Sequence, residues 1–176
     1  MTDAIYLIMG ESGAGKDTVV DRLVELHGLK RLYSYTTRPS RGPGDKHVFV
    51  DDFHAWKNAN PDDTIVGYTE FDGHHYWATA SQVEESDFYI IDPDGVKFFK
   101  NVYSGNKRVK VIYFNVPGYK RINHMLKRGD GLWNATKRFL HDNQKFVDAM
   151  RMADYVVNDG AIDEMAADLF TYMDKN

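Results

Sequence analysis

The chain has 176 residues, enough to bury a core without metal or disulfide support. Its 43% apolar and 27% charged residues are the balance of an ordinary folded domain, and the absence of cysteine excludes disulfides, thiolate zinc sites and a thiol nucleophile. A formal net charge of −4 weighs against general nucleic-acid binding. The cysteine-free composition fits a reducing cytoplasm, and the first apolar run is too short for a leader or a membrane span.

In chain order, residues 4–9 form a continuous apolar run, predicted to be a buried parallel strand. A helix follows over 17–27, with Val19, Val20, Leu23, Val24 and Leu26 as its stripe and Gly28 as its stop. Residues 31–79 break the rhythm with short alternating segments and a small helix near 52–59. Phe88–Ile91 and Val109–Phe114 read as further buried strands, each leading into a helix, over 94–103 and 117–128. Residues 127–138 form a basic, glycine-containing connector. A last strand at 155–157 ends at Asn158-Asp159-Gly160, and a helix carrying Ile162, Met165, Ala166, Leu169 and Phe170 closes the chain. Such alternation predicts an α/β fold, a three-layer α/β/α parallel sheet with an inserted α+β region. Phe98, Phe99 and Tyr103 recur at helical spacing and are expected in the core; Trp77 and Trp133 are left open.

The most informative stretch is Gly10-Glu11-Ser12-Gly13-Ala14-Gly15-Lys16-Asp17-Thr18, set between the first strand and the first helix. Glycines there let backbone N–H groups surround a polyphosphate, Lys16 adds a point charge, and the helix dipole points at the same spot. The stretch is a phosphate-binding loop (P-loop). A core of this type with two appendages is the plan of a small-molecule kinase, one appendage holding the acceptor and the other closing over ATP. Arg38 and Arg41, three apart around Pro39, suit a clamp on one phosphate. The connector's cations suit charge stabilisation during phosphoryl transfer, and equally a simple basic turn. Asp92 before Pro93 is either a helix cap or a site carboxylate, and Asn158-Asp159-Gly160 is either a turn or a nucleotide contact.

Thr36-Thr37-Arg38-Pro39-x-Arg41 resembles the acceptor-phosphate motif of guanylate kinases. Phe71-x-Gly73-x-x-Tyr76, Asp92-x-x-Gly95, the basic connector and Val157-Asn158-Asp159 follow in the order of that family. The resemblance implies a P-loop nucleoside monophosphate kinase with a core (about 1–30, 80–126 and 139–176), an acceptor-binding insert (about 31–79) and a lid (about 127–138). Carried over by position, it implies that Ser34, Arg38, Arg41 and Tyr76 hold the acceptor, with Asp92 near acceptor and metal. Arg128 and Arg138, or Lys137 in place of the latter, become lid cations, and Asn158 and Asp159 line adenine. Lys16, Arg38, Arg128 and Arg138 are then the catalytic candidates. Gly10, Ser12, Gly13, Ala14, Gly15, Lys16, Asp17 and Thr18 surround ATP.

The sequence departs from that pattern at telling places. Asp17 stands where Ser or Thr usually binds Mg2+, so Asp17 or Thr18 is the expected ligand. The guanine-reading glutamate falls at Gly67, the small hydroxyl at Ala78, and His47 sits about where a second phosphate-gripping tyrosine is expected. A site without those groups no longer selects guanine by them. The same departures resemble ribose 1,5-bisphosphate phosphokinases, at Lys16-Asp17, at Arg38-Pro39 with His47, and at Asn158-Asp159-Gly160. The expected activity is Mg2+-dependent transfer from ATP to a nucleoside monophosphate. The alternatives are a sugar bisphosphate acceptor, and a non-catalytic module of the same fold.

Overall fold

The computed structural model describes residues 2–176, the side chain of Phe71 excepted. The elements run β1 (Ala4–Met9), α1 (Lys16–His27), β2 (Tyr35–Thr36), β3 (Val48–Phe49), α2 (Phe53–Ala59), β4 (Ile65–Phe71), β5 (His74–Thr79) and α3 (Ala80–Glu84). They continue with β6 (Phe88–Ile90), α4 (Pro93–Val102), β7 (Arg108–Asn115), α5 (Gly118–Lys127), α6 (Leu132–Lys145), α7 (Ala149–Met152), β8 (Tyr155–Asn158) and α8 (Ile162–Asp174).

Every residue of β1 is buried. Tyr6 and Ile8 enter one core layer with α1 and α8, while Ile5, Leu7 and Met9 enter another with α3, α4 and α7. A strand covered on both faces has no polar side to show, hence the unbroken apolar run. It pairs in parallel with β6, Tyr6 opposite Phe88, and with β7, Ile5 opposite Val109; the sheet order is β6-β1-β7-β8. All four strands are those expected from the sequence. Among the described residues no helix is long and apolar enough to cross a membrane.

Local chemistry sets the helix ends around this sheet. Asp92 caps α4 by accepting from the Gly95 N–H at 2.8 Å, with Pro93 in the first turn. Thr79 and Gln82 form a reciprocal capping box on α3. Asp52 caps α2 by accepting from the Ala55 N–H, and Asp63 binds Ser81 through N–H and hydroxyl at 3.1 and 2.5 Å.

Residues 31–79 fold as a second sheet, order β3-β2-β5-β4, mostly antiparallel. Trp77 is buried in its aromatic cluster, 5.4 Å from Tyr35, 5.2 Å from Trp56 and 5.0 Å from Phe53 between ring centroids. It is the insert's own core and faces neither acceptor nor lid. Trp133 is 81% exposed.

Two expectations need correction. The connector over 127–138 is a helical hairpin: α5 ends at Lys127, a turn carries Gly129 and Gly131 at φ 91 and 74, and α6 starts at Leu132. Only Ala135 and Asp142 of α6 are buried, and its Leu132, Trp133 and Leu140 are exposed, so its apolar residues do not mark a core face. Phe98 is 40% exposed and leaves the core to Phe99.

Asp87 is fully buried just before β6. Its carboxylate accepts from the Thr2 N–H at 2.6 Å, the Thr2 hydroxyl at 3.0 Å and the Lys30 N–H at 2.8 Å, tying the start of the chain to the segment after α1. Asp87→Ala leaves two part-buried N–H groups without their acceptor and should cost about 1–3 kcal/mol. Urea unfolding checks this; an unchanged midpoint would refute the tie.

Candidate active site

The loop after β1 is packed tightly. Gly13 and Gly15 adopt φ 80 and 81, a region that side chains disfavour. A Cβ on Gly13 would collide with the Arg121 carbonyl, and one on Gly10 would press on Phe114 at 3.0 Å. Lys16 begins α1 and its Nζ donates to the Glu11 carbonyl at 3.0 Å. Burial pushes its pKa down, while the carboxylates of Asp17, Asp142 and Glu11 oppose the shift.

In front of the loop is a cavity of about 480 Å3 lined by Gly13 to Thr18, Val116, His124, Arg128 and Asp159 to Ile162, with Met165. His124 donates through Nδ1 to the Gly13 carbonyl at 2.9 Å. Arg128 is held by Asp130 through two bonds, Nε to Oδ1 at 3.0 Å and Nη2 to Oδ2 at 2.6 Å. Asp159 is paired with Lys120. Of the sequence candidates, Arg138 lies 3.7 Å from Asp130 and is half exposed, and the Asn158 side chain accepts from Asn115 at 3.2 Å. Neither lines the cavity, nor does Lys137.

Asp17 lines the cavity too, and Arg31 donates to its Oδ1 at 2.5 Å. Burial works to raise its pKa, but the Arg31 charge and hydrogen bond, with Lys16, hold it below the ordinary value. Thr18 lines the same cavity. Among the described residues no cluster of three or more His, Asp or Glu side chains forms a ready metal cage.

Behind the loop lies a buried network absent from the sequence expectations. The Ser12 N–H donates to Asp142 Oδ2 of α6 at 2.6 Å. Glu11 accepts from the Tyr113 hydroxyl at 3.0 Å and faces Arg121 at 3.6 Å. Arg121, only 4% exposed, stacks over the Phe139 ring at 4.9 Å and donates to Asn143 at 3.2 Å. The one available signal is Glu11 itself: a carboxylate inside an anion-binding loop demands a cation nearby.

On the insert side, Arg38 is buried, its Nη2 donating to Asp45 at 2.6 Å and its Nη1 to the Pro39 carbonyl at 2.7 Å. Arg41 is exposed, and its N–H donates to the same Asp45 at 3.1 Å. A shallow recess joins Arg38, Arg41, Asp45 and His47. The His47 hydrogen bond to Asp45 is the chief cause holding that carboxyl well below the usual range, with Arg38 and the Arg41 N–H adding to it against burial.

A second cavity, of about 500 Å3, is lined by Ser34, His47, Gly67, Thr69, Tyr76, Tyr89, Asp92, Asp94, Phe98 and Lys145, among others. Tyr89 fills the space under Gly67: a Cβ there would meet its hydroxyl at 2.6 Å. Burial raises the Tyr89 pKa to about 12. Ala78 is buried. Lys145, at the end of α6, donates to Asp92 Oδ2 at 2.6 Å. A third recess, lined by Asp17, Arg31, Ser34, Asp45, His47 and Tyr89, shares residues with both cavities and connects them.

A parallel sheet, a glycine loop at the first strand's end and an inserted mixed sheet define the fold of the P-loop nucleoside monophosphate kinases. The model of the guanylate kinase family matches residues 2–176, and the chain belongs to that family. Among solved structures, a guanylate kinase from Anaplasma phagocytophilum is 20% identical with a TM-score of 0.59, covering 99% of this chain and 87% of its own. An uncharacterised protein from Eubacterium ventriosum is 13% identical with a TM-score of 0.56, covering 99% and 100%. At these identities the likeness shows the fold. No curated protein matches the sequence significantly.

The Asp45 network has a measurable signature. An Asp carboxyl in an unfolded chain titrates near about 3.9. A folded value below that means the stabilisation is complete above it and disappears as pH falls through the lower, folded value. A carbon-detected NMR titration should therefore show Asp45 ionised throughout the mildly acidic range. A midpoint near about 3.9 would mean that the Arg38 loop is not held in this way.

Proposed function

We propose that the protein is an ATP-dependent phosphotransferase that phosphorylates the phosphate of a nucleoside monophosphate. The observation carrying this reading is the pair of cavities joined by one recess, with Lys16 and the glycine loop at one and the Arg38 loop beside the other. The loop N–H groups and Lys16 hold the donor's β- and γ-phosphates; Asp159 and the start of α8 line the rest of ATP. Arg38, Arg41, Ser34, His47 and Tyr76 receive the acceptor phosphate. Arg38 exchanges the Asp45 carboxylate for a phosphate of similar geometry.

Transfer is direct and in line. An acceptor phosphate oxygen attacks the γ-phosphorus as the bond to ADP breaks, and negative charge spreads over the moving oxygens. Arg128, released from Asp130, supplies charge at that moment, with Arg138 following when the hairpin closes. Closure also excludes water that would hydrolyse ATP. Asp17 and Thr18 offer hard oxygen atoms on the donor cavity, and Arg31 takes only Oδ1 of Asp17. That chemistry fits Mg2+, which binds through one or two protein oxygens and retained waters. When bound there, the ion neutralises charge on the donor phosphates.

A sugar bisphosphate acceptor is disfavoured by charge. The acceptor cavity carries Asp92 and Asp94 against the single Lys145, and two carboxylates repel a second phosphate. Tyr89 and Phe98 instead offer surfaces for a ring. With Gly67 and Ala78 bare, the base is not selected by the family's glutamate and hydroxyl. A non-catalytic module has no use for a Lys16 anchored on the Glu11 carbonyl and a fully formed loop.

The test is a coupled assay of ATP turnover over a panel of ribo- and deoxyribonucleoside monophosphates, with ribose 1,5-bisphosphate beside them. Turnover should require one of the monophosphates. Lys16→Ala should lower kcat by about a hundredfold or more. Arg38→Ala should raise the acceptor KM by about ten- to a hundredfold and spare that of ATP. Failure of the whole panel, or unchanged constants in both variants, would overturn the reading.

A further inference from the structure

Resting on that reading, we propose that Lys145 is a specificity-determining contact of the acceptor site, reading the nucleobase together with Asp92. The strand wall of the cavity offers little to a base. Gly67 has no side chain, Tyr89 fills the space beneath it, and Ala78 is buried and apolar. Thr69 adds one hydroxyl beside Tyr76, its partner across the β4–β5 pairing. The hydrogen-bonding edge of a base is then left to Asp92, Asp94 and Lys145, which line the same cavity with Phe98.

Asp92 is fixed in orientation. Its Oδ1 caps α4 through the Gly95 N–H at 2.8 Å, and its Oδ2 accepts from Lys145 at 2.6 Å. An ammonium has three donors and no acceptor, and an ionised carboxylate has acceptors alone. With one Lys145 donor spent on Asp92, two remain for the cavity. The pair thus presents a donor beside an acceptor. A planar ring with a carbonyl oxygen or ring nitrogen next to an N–H is its complement, and a base-free sugar phosphate has no such edge. Both groups are only partly exposed, with side-chain exposures of 28% and 40%, so their bonds to a ligand are shielded from water.

The test compares dissociation constants for the best monophosphate of the panel and for ribose 5-phosphate, which keeps the phosphate and lacks the base. Both are measured by calorimetry on the wild-type chain and on Lys145→Met and Lys145→Arg. Lys145→Met should weaken the nucleotide by about ten- to a hundredfold and ribose 5-phosphate by less than about twofold. Lys145→Arg, which keeps a donor, should recover part of the loss. Equal changes for the two ligands, or none, would overturn the assignment to the base and leave the phosphotransfer reading standing. A wild-type chain that binds no monophosphate more tightly than ribose 5-phosphate would overturn both. That comparison needs no variant to fold.

Discussion

The molecule is organised by the confinement of one short loop. β1 is buried on both faces and stops at Gly10, where Phe114 leaves little room for a side chain. Three residues on, the Arg121 backbone closes the space over Gly13, and α1 starts directly from Gly15. The Ser12 and Ala14 N–H groups are taken up within and behind the loop, by Asp142 and by the Glu11 carbonyl, and the stretch from Gly13 to Thr18 lines the cavity. The donor cavity, the helical hairpin above it and the insert beside it are all arranged about that fixed point. Glu11 and Ser12 extend the confinement on the buried side, through Arg121, Tyr113 and Asp142.

Charge is handled in a consistent way across the cleft. Arg38 rests on Asp45, Arg128 on Asp130, Arg31 on Asp17, Lys120 on Asp159 and Lys145 on Asp92. Each of these cations is matched by a carboxylate in a chain of net charge −4, while Lys16 rests on the Glu11 carbonyl. A phosphate entering such a cleft replaces a carboxylate and does not meet a bare positive field. The exchange is possible because a guanidinium fork matches two phosphate oxygens as it matches a carboxylate.

Much of this was legible in the sequence, for physical reasons that differ by region. The four core strands appear as apolar runs because the sheet is covered on both sides, and the loop appears because its glycines are demanded by left-handed backbone. Asp92 before Pro93 marked the start of α4, where it is the cap. α6 was missed because burial does not hold it: one alanine and one aspartate are its buried positions. Trp77 could not be placed, since its neighbours Tyr35 on β2 and Phe53 and Trp56 on α2 are distant from it in sequence. Asp142 and Arg121 were invisible for the same reason, being paired across more than a hundred residues with Ser12 and Glu11. Lys145 reads as an ordinary helix-terminal lysine until Asp92 is found beside it.

α6 has 14 residues and so is about 21 Å long. Its first residue follows the glycine turn beside Arg128, Asp142 fastens it to the loop, and its last residue reaches Asp92. It is held along its length, with Ala135 buried, Phe139 under the Arg121 guanidinium and Asn143 bonded to that same group. One helix thus keeps a contact to the glycine loop and another to the wall of the second cavity, so a substitution that shifts it is felt at both.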